Sequence, residues 1–145
     1  RGGTGNDSLK GHSGNDVISG GGGDDTIVGS IGADTINGGD GDDRIDAGNG
    51  NDLVAGGDGD DFINAAGGND TVLGGDGNDS LFGGGGRDIV LGGDGDDIIR
   101  GNGSSRDTVA GNEGDEDDLA GNLAGEINEA FTLAAALLAE LDALE

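Results

Sequence analysis

The chain has 145 residues, with 31 acidic side chains against 6 basic ones, a formal charge of −25, and 37 glycines. That acidity argues against nucleic acid and anionic membrane surfaces as partners. No apolar stretch is long enough to span a bilayer, and the length suits one domain. Low hydrophobicity with high net charge reads as disorder, and that is the expectation for the chain without a counter-ion. The charge is periodic, however, and the period changes the reading.

From Gly2 the chain repeats every nine residues, and eleven uninterrupted nonads fill residues 2–100. Column four is always glycine, from Gly5 through Gly59 to Gly95. Column six is always aspartate: Asp7, Asp16, Asp25, Asp34, Asp43, Asp52, Asp61, Asp70, Asp79, Asp88 and Asp97. Column eight is always Leu, Ile or Val, from Leu9 through Ile63 to Ile99. An obligatory glycine implies positive φ or a backbone too crowded for a Cβ. The first six columns therefore predict a tight turn. The last three predict a short strand with only column eight facing inward. Such a unit cannot fold alone, but two units make one coil of a parallel solenoid whose coils stack. Stacking sets the column-six aspartates in two rows, one on each edge. Carboxylates at strand spacing, ~4.8 Å, repel unless a cation lies between them, and six basic residues are too few. Calcium takes six to eight oxygens from carboxylates and backbone carbonyls alike, and glycine-rich turns offer both.

The repeat GGxGxDxUx resembles the nonapeptide of RTX proteins, a calcium-binding β-helix repeat. The resemblance covers residues 2–100 cleanly and extends loosely to about 120. It implies an all-β fold, a right-handed parallel β-roll of nine-residue repeats with two repeats per coil. It also implies calcium between a turn and the next turn on the same edge. The ligands would be the column-six aspartates and glycine-turn carbonyls, with Gly38, Gly41, Gly56, Gly59, Gly74, Gly77, Gly92 and Gly95 in the most regular units. Counting paired turns gives about ten ions.

In chain order, residues 1–37 are the less regular end: His12 and Ser30 replace the second glycine, and Ile31 and Ala33 stand where other units are polar. The opening on Arg1, without a secretory leader, is expected of a piece of a longer or processed protein. From Gly38 to Arg100 the motif is strongest. Column three there holds Asp40, Asp58, Asp76 and Asp94, which serve either as outer ligands or as solvated turn carboxylates. Ala47, Ala65 and Ala66 replace glycines along one edge, so the two edges need not bind equally. Outward columns carry Leu53, Leu73, Ile89 and Leu91 on one sheet and Phe62, Phe82 and Ile98 on the other. Exposed apolar faces of this kind suggest self-association or contact with a parent protein. Residues 101–110 and 111–120 each read as a nonad with one inserted residue, and Asp107 keeps the metal column. Residues 126–144 change period: Ile127, Ala130, Ala134, Leu137, Leu141 and Leu144 fall at three–four spacing, as in an amphipathic helix. The expected division is a β-roll over 1–122 and a helix over 123–145, a solenoid needing a cap over its last coil. Self-association and a secretion signal are the competing roles for that helix. Its end, Leu141–Glu145, lacks the closing hydrophobic run found in some family members.

No catalytic constellation is present: there is no HExxH helix, no GxSxG elbow and no P-loop lysine. Three functions stay open. One is a calcium-binding module, secreted or on the cell surface, that folds after export. The second is a self-assembling adhesive element. The third is an accessory domain of a secreted hydrolase or toxin.

Overall fold

The computed structural model describes residues 1–103, 106–111 and 118–120. The expected amphipathic helix, and the division at 122–123, lie outside the described residues. Numbered along the chain, strands alternate between two seven-stranded parallel sheets. The first sheet holds β1 (Gly3–Thr4), β3 (Val17–Gly22), β5 (Thr35–Asp40), β7 (Leu53–Asp58), β9 (Thr71–Asp76), β11 (Ile89–Asp94) and β13 (Thr108–Ala110). The second holds β2 (Ser8–Ser13), β4 (Thr26–Ile31), β6 (Arg44–Asn49), β8 (Phe62–Asn64), β10 (Ser80–Phe82), β12 (Ile98–Arg100) and β14 (Asp118–Ala120). Each strand pairs with the strand two places on, eighteen residues away up to β12, as Ile18 with Ile36 and Val54 with Val72, and nineteen and twenty away at β13 and β14, where residues are inserted. The result is a right-handed parallel β-solenoid with two repeats per coil, the hand that twisted parallel strands favour.

The core is one ladder from each sheet. Ile27, Ile45, Ile63, Leu81 and Ile99 face Ile36, Val54, Val72 and Val90, all with no exposed surface. At ~25 cal/mol per Å2, one aliphatic side chain per nonad is a thin core, so stacking must supply the rest. Backbone ladders do so. Outside the strands, column-seven amides donate to column-six carbonyls of the preceding coil, as Thr26 N to Asp7 O at 2.8 Å and Phe62 N to Asp43 O at 2.8 Å.

The three-residue strand expected from each unit is too short. Most strands before β12 run six residues, continuing through columns one to three of the next unit. The reason is a bend at column two, where φ is positive: Gly21 at 117°, Gly39 at 121° and Gly57 at 129°. The bend turns the chain without ending the ladder, which resumes in register as Gly21 opposite Gly39. The column-four expectation holds at all eleven positions, with φ from 102° at Gly5 to 154° at Gly50. A Cβ on Gly59 would lie 2.6 Å from the carbonyl carbon of Gly41 in the coil beneath. Among the described residues no helix is long and apolar enough to cross a membrane.

Candidate metal site: two ladders of buried aspartate

The column-six aspartates do not stand out from the edges. Asp25, Asp34, Asp43, Asp52, Asp61, Asp70, Asp79, Asp88, Asp97 and Asp107 fold inward and are at most 3 % exposed. Asp7 and Asp16, in the first coil, are half-buried. One carboxylate oxygen is used by the stack. Asp25 Oδ1 accepts from Asp7 N at 2.7 Å, Asp43 Oδ1 from Asp25 N at 2.7 Å, and Asp61 Oδ1 from Asp43 N at 2.8 Å. The other edge repeats it, with Asp34, Asp52 and Asp70 each accepting from the aspartate one coil before at 2.8 Å. Asp107 joins the same ladder through Asp88 N at 3.1 Å, despite the inserted residue.

The second oxygen is left over. At every column-six position from Asp16 to Asp88, Oδ2 is buried and has no hydrogen-bond partner. A buried, unpaired carboxylate oxygen costs several kcal/mol in an apolar setting, so a row of them demands a counter-charge. The carboxyls respond as burial dictates. Desolvation lifts Asp61 to about 8, Asp70 to about 7, and Asp43 and Asp79 to about 6, against the stabilising backbone amide each accepts. Asp52 and Asp88 are raised for the same reason.

What faces Oδ2, except at Asp52 and Asp70 where column one is Ala47 and Ala65, is the bare Cα of the column-one glycine five residues earlier. A Cβ on Gly11 would stand 2.7 Å from Asp16 Oδ2 and 2.8 Å from the carbonyl oxygen of Gly29, one coil on. A Cβ on Gly56 would meet Asp61 Oδ2 and stand 2.7 Å from Gly74 O, and one on Gly20 would meet Asp25 Oδ2 and stand 2.5 Å from Gly38 O. A carboxylate oxygen and a carbonyl oxygen of the next coil thus crowd the same column-one glycine Cα, leaving no room for a side chain there. The donor set is all oxygen and fits a hard cation. Side chains alone do not make it: among the described residues no three carboxylates or imidazoles converge. Backbone oxygen has to complete any shell.

Of the residues singled out from the sequence, column six and the column-one glycines Gly38, Gly56, Gly74 and Gly92 come together here. Gly41, Gly59, Gly77 and Gly95 sit at the turn apex, each Cα against the coil below. Asp40, Asp58, Asp76 and Asp94 stay exposed on the outside of the edge, and only their backbone carbonyls join the stack, accepting from the column-four amides. Sequence reasoning missed column five. Its Asn or Asp side chain accepts from the amide of the next coil: Asn6 Oδ1 from Asp24 N at 3.0 Å, Asp42 from Asp60 N at 2.9 Å, Asn51 from Asn69 N at 2.8 Å. The preference for Asn and Asp in that column was the available signal. It was missed because the partner is eighteen residues away.

The family model for the RTX calcium-binding nonapeptide repeat matches this chain in overlapping copies, at residues 1–36, 19–54, 28–63, 37–72, 47–81 and 73–105. No curated protein matches the chain.

Proposed function

The chain belongs to the RTX calcium-binding nonapeptide repeat family, a structural rather than catalytic calcium-binding module, and from that premise we propose that calcium creates its fold outside the cell. The proposed body is a β-roll over 1–122 followed by a separate segment, 123–145. Calcium would be held on each edge by the column-six Oδ2 of one turn and the column-one carbonyl of the next, with further glycine-turn carbonyls completing six to eight oxygens. Bound there, it supplies positive charge to oxygens that have no other partner. The ten buried aspartates match about ten ions, which would bring the formal charge from −25 to about −5.

The observation that carries this reading is the unpaired Oδ2 row from Asp16 to Asp88. Without the ion, folding buries these charges and orders 37 glycines, while the aliphatic ladders are thin. Fixing each backbone residue costs ~1–2 kcal/mol, and metal binding to a site absent from the unfolded chain contributes directly to folding. In a cell interior poor in free calcium the chain stays unfolded and can be exported. Outside, at the ~0.1–1 mM affinities of extracellular calcium modules, it coils up. Each finished coil templates the next, so the transition is cooperative.

Circular dichroism of the full chain at neutral pH, titrated with each ion, tests the proposal. A β spectrum should appear with calcium between ~0.1 and ~1 mM and not with magnesium, which prefers octahedral geometry and keeps its waters. A β spectrum persisting in excess chelator, or induced equally by magnesium, would overturn it.

A further inference from the structure

The stack guards a backbone that is chemically easy to damage. Asp40, Asp58, Asp76 and Asp94, and Asn37, Asn49 and Asn102, each precede a glycine. Such a junction is able to attack itself. The glycine amide nitrogen adds to the side-chain Cγ of the residue before it, and no Cβ on the glycine stands in the way. A C–N bond closes a succinimide ring. The amide proton leaves with the side-chain group, as ammonia from Asn or as water from protonated Asp. A water molecule then opens the ring at either carbonyl. The product is aspartate or, with Cβ carried into the main chain, isoaspartate, and nothing is oxidised or reduced.

Burial of the side chain does not prevent this, because Asp40, Asn49, Asp58 and Asp76 are exposed at their turns. What the fold withholds is the nucleophile. Gly41 N donates to Asp58 O at 2.7 Å, Gly59 N to Asp76 O at 2.7 Å, Gly77 N to Asp94 O at 2.8 Å and Gly50 N to Gly67 O at 2.8 Å. Each acceptor belongs to the next coil, so a single unstacked coil leaves these amides free. Stacking also holds the glycine backbone at positive φ, 120° at Gly41 and 154° at Gly50. Asn37 and Gly38 lie inside β5, paired on both sides. Column five is held in the same manner. Asn51 and Asn69 precede Asp52 and Asp70, whose amides donate to Asp70 Oδ1 at 2.8 Å and Asp88 Oδ1 at 3.0 Å.

We propose that these junctions are self-modification sites that limit the life of the unwound chain, and that coil stacking is what keeps them intact. The inference rests on the reading that calcium creates the fold. Without the ion, Asn49 and Asn37 cyclise first, because a neutral amide is a better electrophile than the carboxylate of Asp40, Asp58 or Asp76. Isoaspartate in column three adds a bond to the main chain between the bend at column two and the glycine of column four. The ladder runs in strict register, as Gly39 with Gly57 and Asp40 with Asp58, and an extra bond displaces the column-six aspartate that follows from its partner in the neighbouring coil. A chain kept too long without calcium therefore loses the ability to coil at that turn.

The test holds the full chain at neutral pH and body temperature in saturating calcium, in chelator, and in calcium with enough urea to erase the β spectrum. Peptide mass spectrometry reads deamidation at Asn49 and isoaspartate at Asp40, Asp58 and Asp76. In calcium, Asn49 should deamidate at least ~tenfold more slowly than in urea, since its neighbour's amide is released only when the coil opens. The chelator sample should age like the urea sample. Equal rates in calcium and in urea overturn the proposal. A chelator sample that keeps both its β spectrum and its junctions would sink the calcium reading while upholding protection by stacking. Chelator-aged chain returned to calcium should recover less β signal than fresh chain. Asn37→Ser with Asn49→Ser, residues that the same columns hold at Ser19 and Ser13, should recover more. If that variant responds poorly to calcium when fresh, Asn49→Asp, as in Asp40, takes its place. Equal loss in the altered and unaltered chains would show that these junctions do not set the limit.

Discussion

On one edge, columns one and two are glycine in every turn from Gly2–Gly3 to Gly92–Gly93, whereas the other edge carries Ala47 and Ala65 in column one and His12, Ser30, Ala66 and Asn102 in column two. Those four are the described non-glycine residues with positive φ, at 81°, 94°, 73° and 58°. A left-handed L-residue costs ~1–2 kcal/mol, so the second edge bears strain that the first does not. The first edge bears charge instead. Asp24, Asp40, Asp42, Asp58, Asp60, Asp76, Asp94 and Asp96 ring its outside, while columns three and five of the second edge hold no acid and include Arg87. The ladder differs too. Strands of the first sheet run six residues from β3 to β11. Those of the second shorten to three from β8 on, where Ala65 and Ala66 enter and only single bridges, Asn49–Gly67 and Gly67–Gly85, remain. One backbone path, with the same inward aspartate row on both edges, is thus reached in two ways: one strain-free in column two and heavily charged outside, the other strained and less charged.

The largest test breaks the first edge outright. Gly59→Val places a branched side chain at φ 129° against the Gly41 backbone, and should cost about 3 kcal/mol or more. It would raise the calcium midpoint well above that of the unaltered chain. If the midpoint does not move, the left-handed turn at column four is not required.

Acid should act in the same direction as calcium. Asp61, Asp70, Asp43 and Asp79 hold protons in the folded chain up to about 8, 7, 6 and 6, while unfolded aspartate lets go near ~3.9. Between those limits the folded state binds more protons, so its stability is greatest at the acid end and falls as pH rises through the folded values. In chelator, β signal should therefore grow as pH drops from 8 toward 4, and Asp61→Asn should grow less steeply. A metal-free chain that gains structure on going alkaline would contradict this sign.

Exchanging the column-one residues sharpens the contrast between edges. Gly56→Ala puts a methyl against Asp61 Oδ2 and Gly74 O and should weaken calcium binding at that turn by calorimetry. Ala65→Gly removes the corresponding methyl beside Asp70 and should tighten it. Unchanged affinity in both variants would show that the column-one position does not border the ion.

Smallest is the relief of strain. Ala66→Gly, at φ 73°, should stabilise the calcium form by up to ~1 kcal/mol, its gain offset by the added freedom of the unfolded chain. Asn64→Ser on the outer face, giving up one 3.5 Å contact to Asp46, should leave the thermal midpoint unchanged and serves as the control.

The nine-residue period alone was enough for the solenoid, because repeating one pattern forces one conformation, and identical units can bury their single aliphatic residue only by stacking. Column four was equally legible, since every copy keeps glycine and all eleven take positive φ. Column two was not: His12 and Ala66 hide the requirement, and only the folded backbone reveals that they pay for it in strain. The sequence placed Asp7 to Asp107 in two rows but could not tell which way they face. Tertiary structure turned them inward, with one oxygen drawn by the amide of the preceding coil and the other left without a hydrogen-bond partner from Asp16 to Asp88. It also hid Leu73 and Leu91, which a period of two assigns to solvent. Local pattern specifies which side of its own strand a residue occupies. What lies eighteen residues below it, or on the far side of its sheet, is decided by packing between segments distant in sequence.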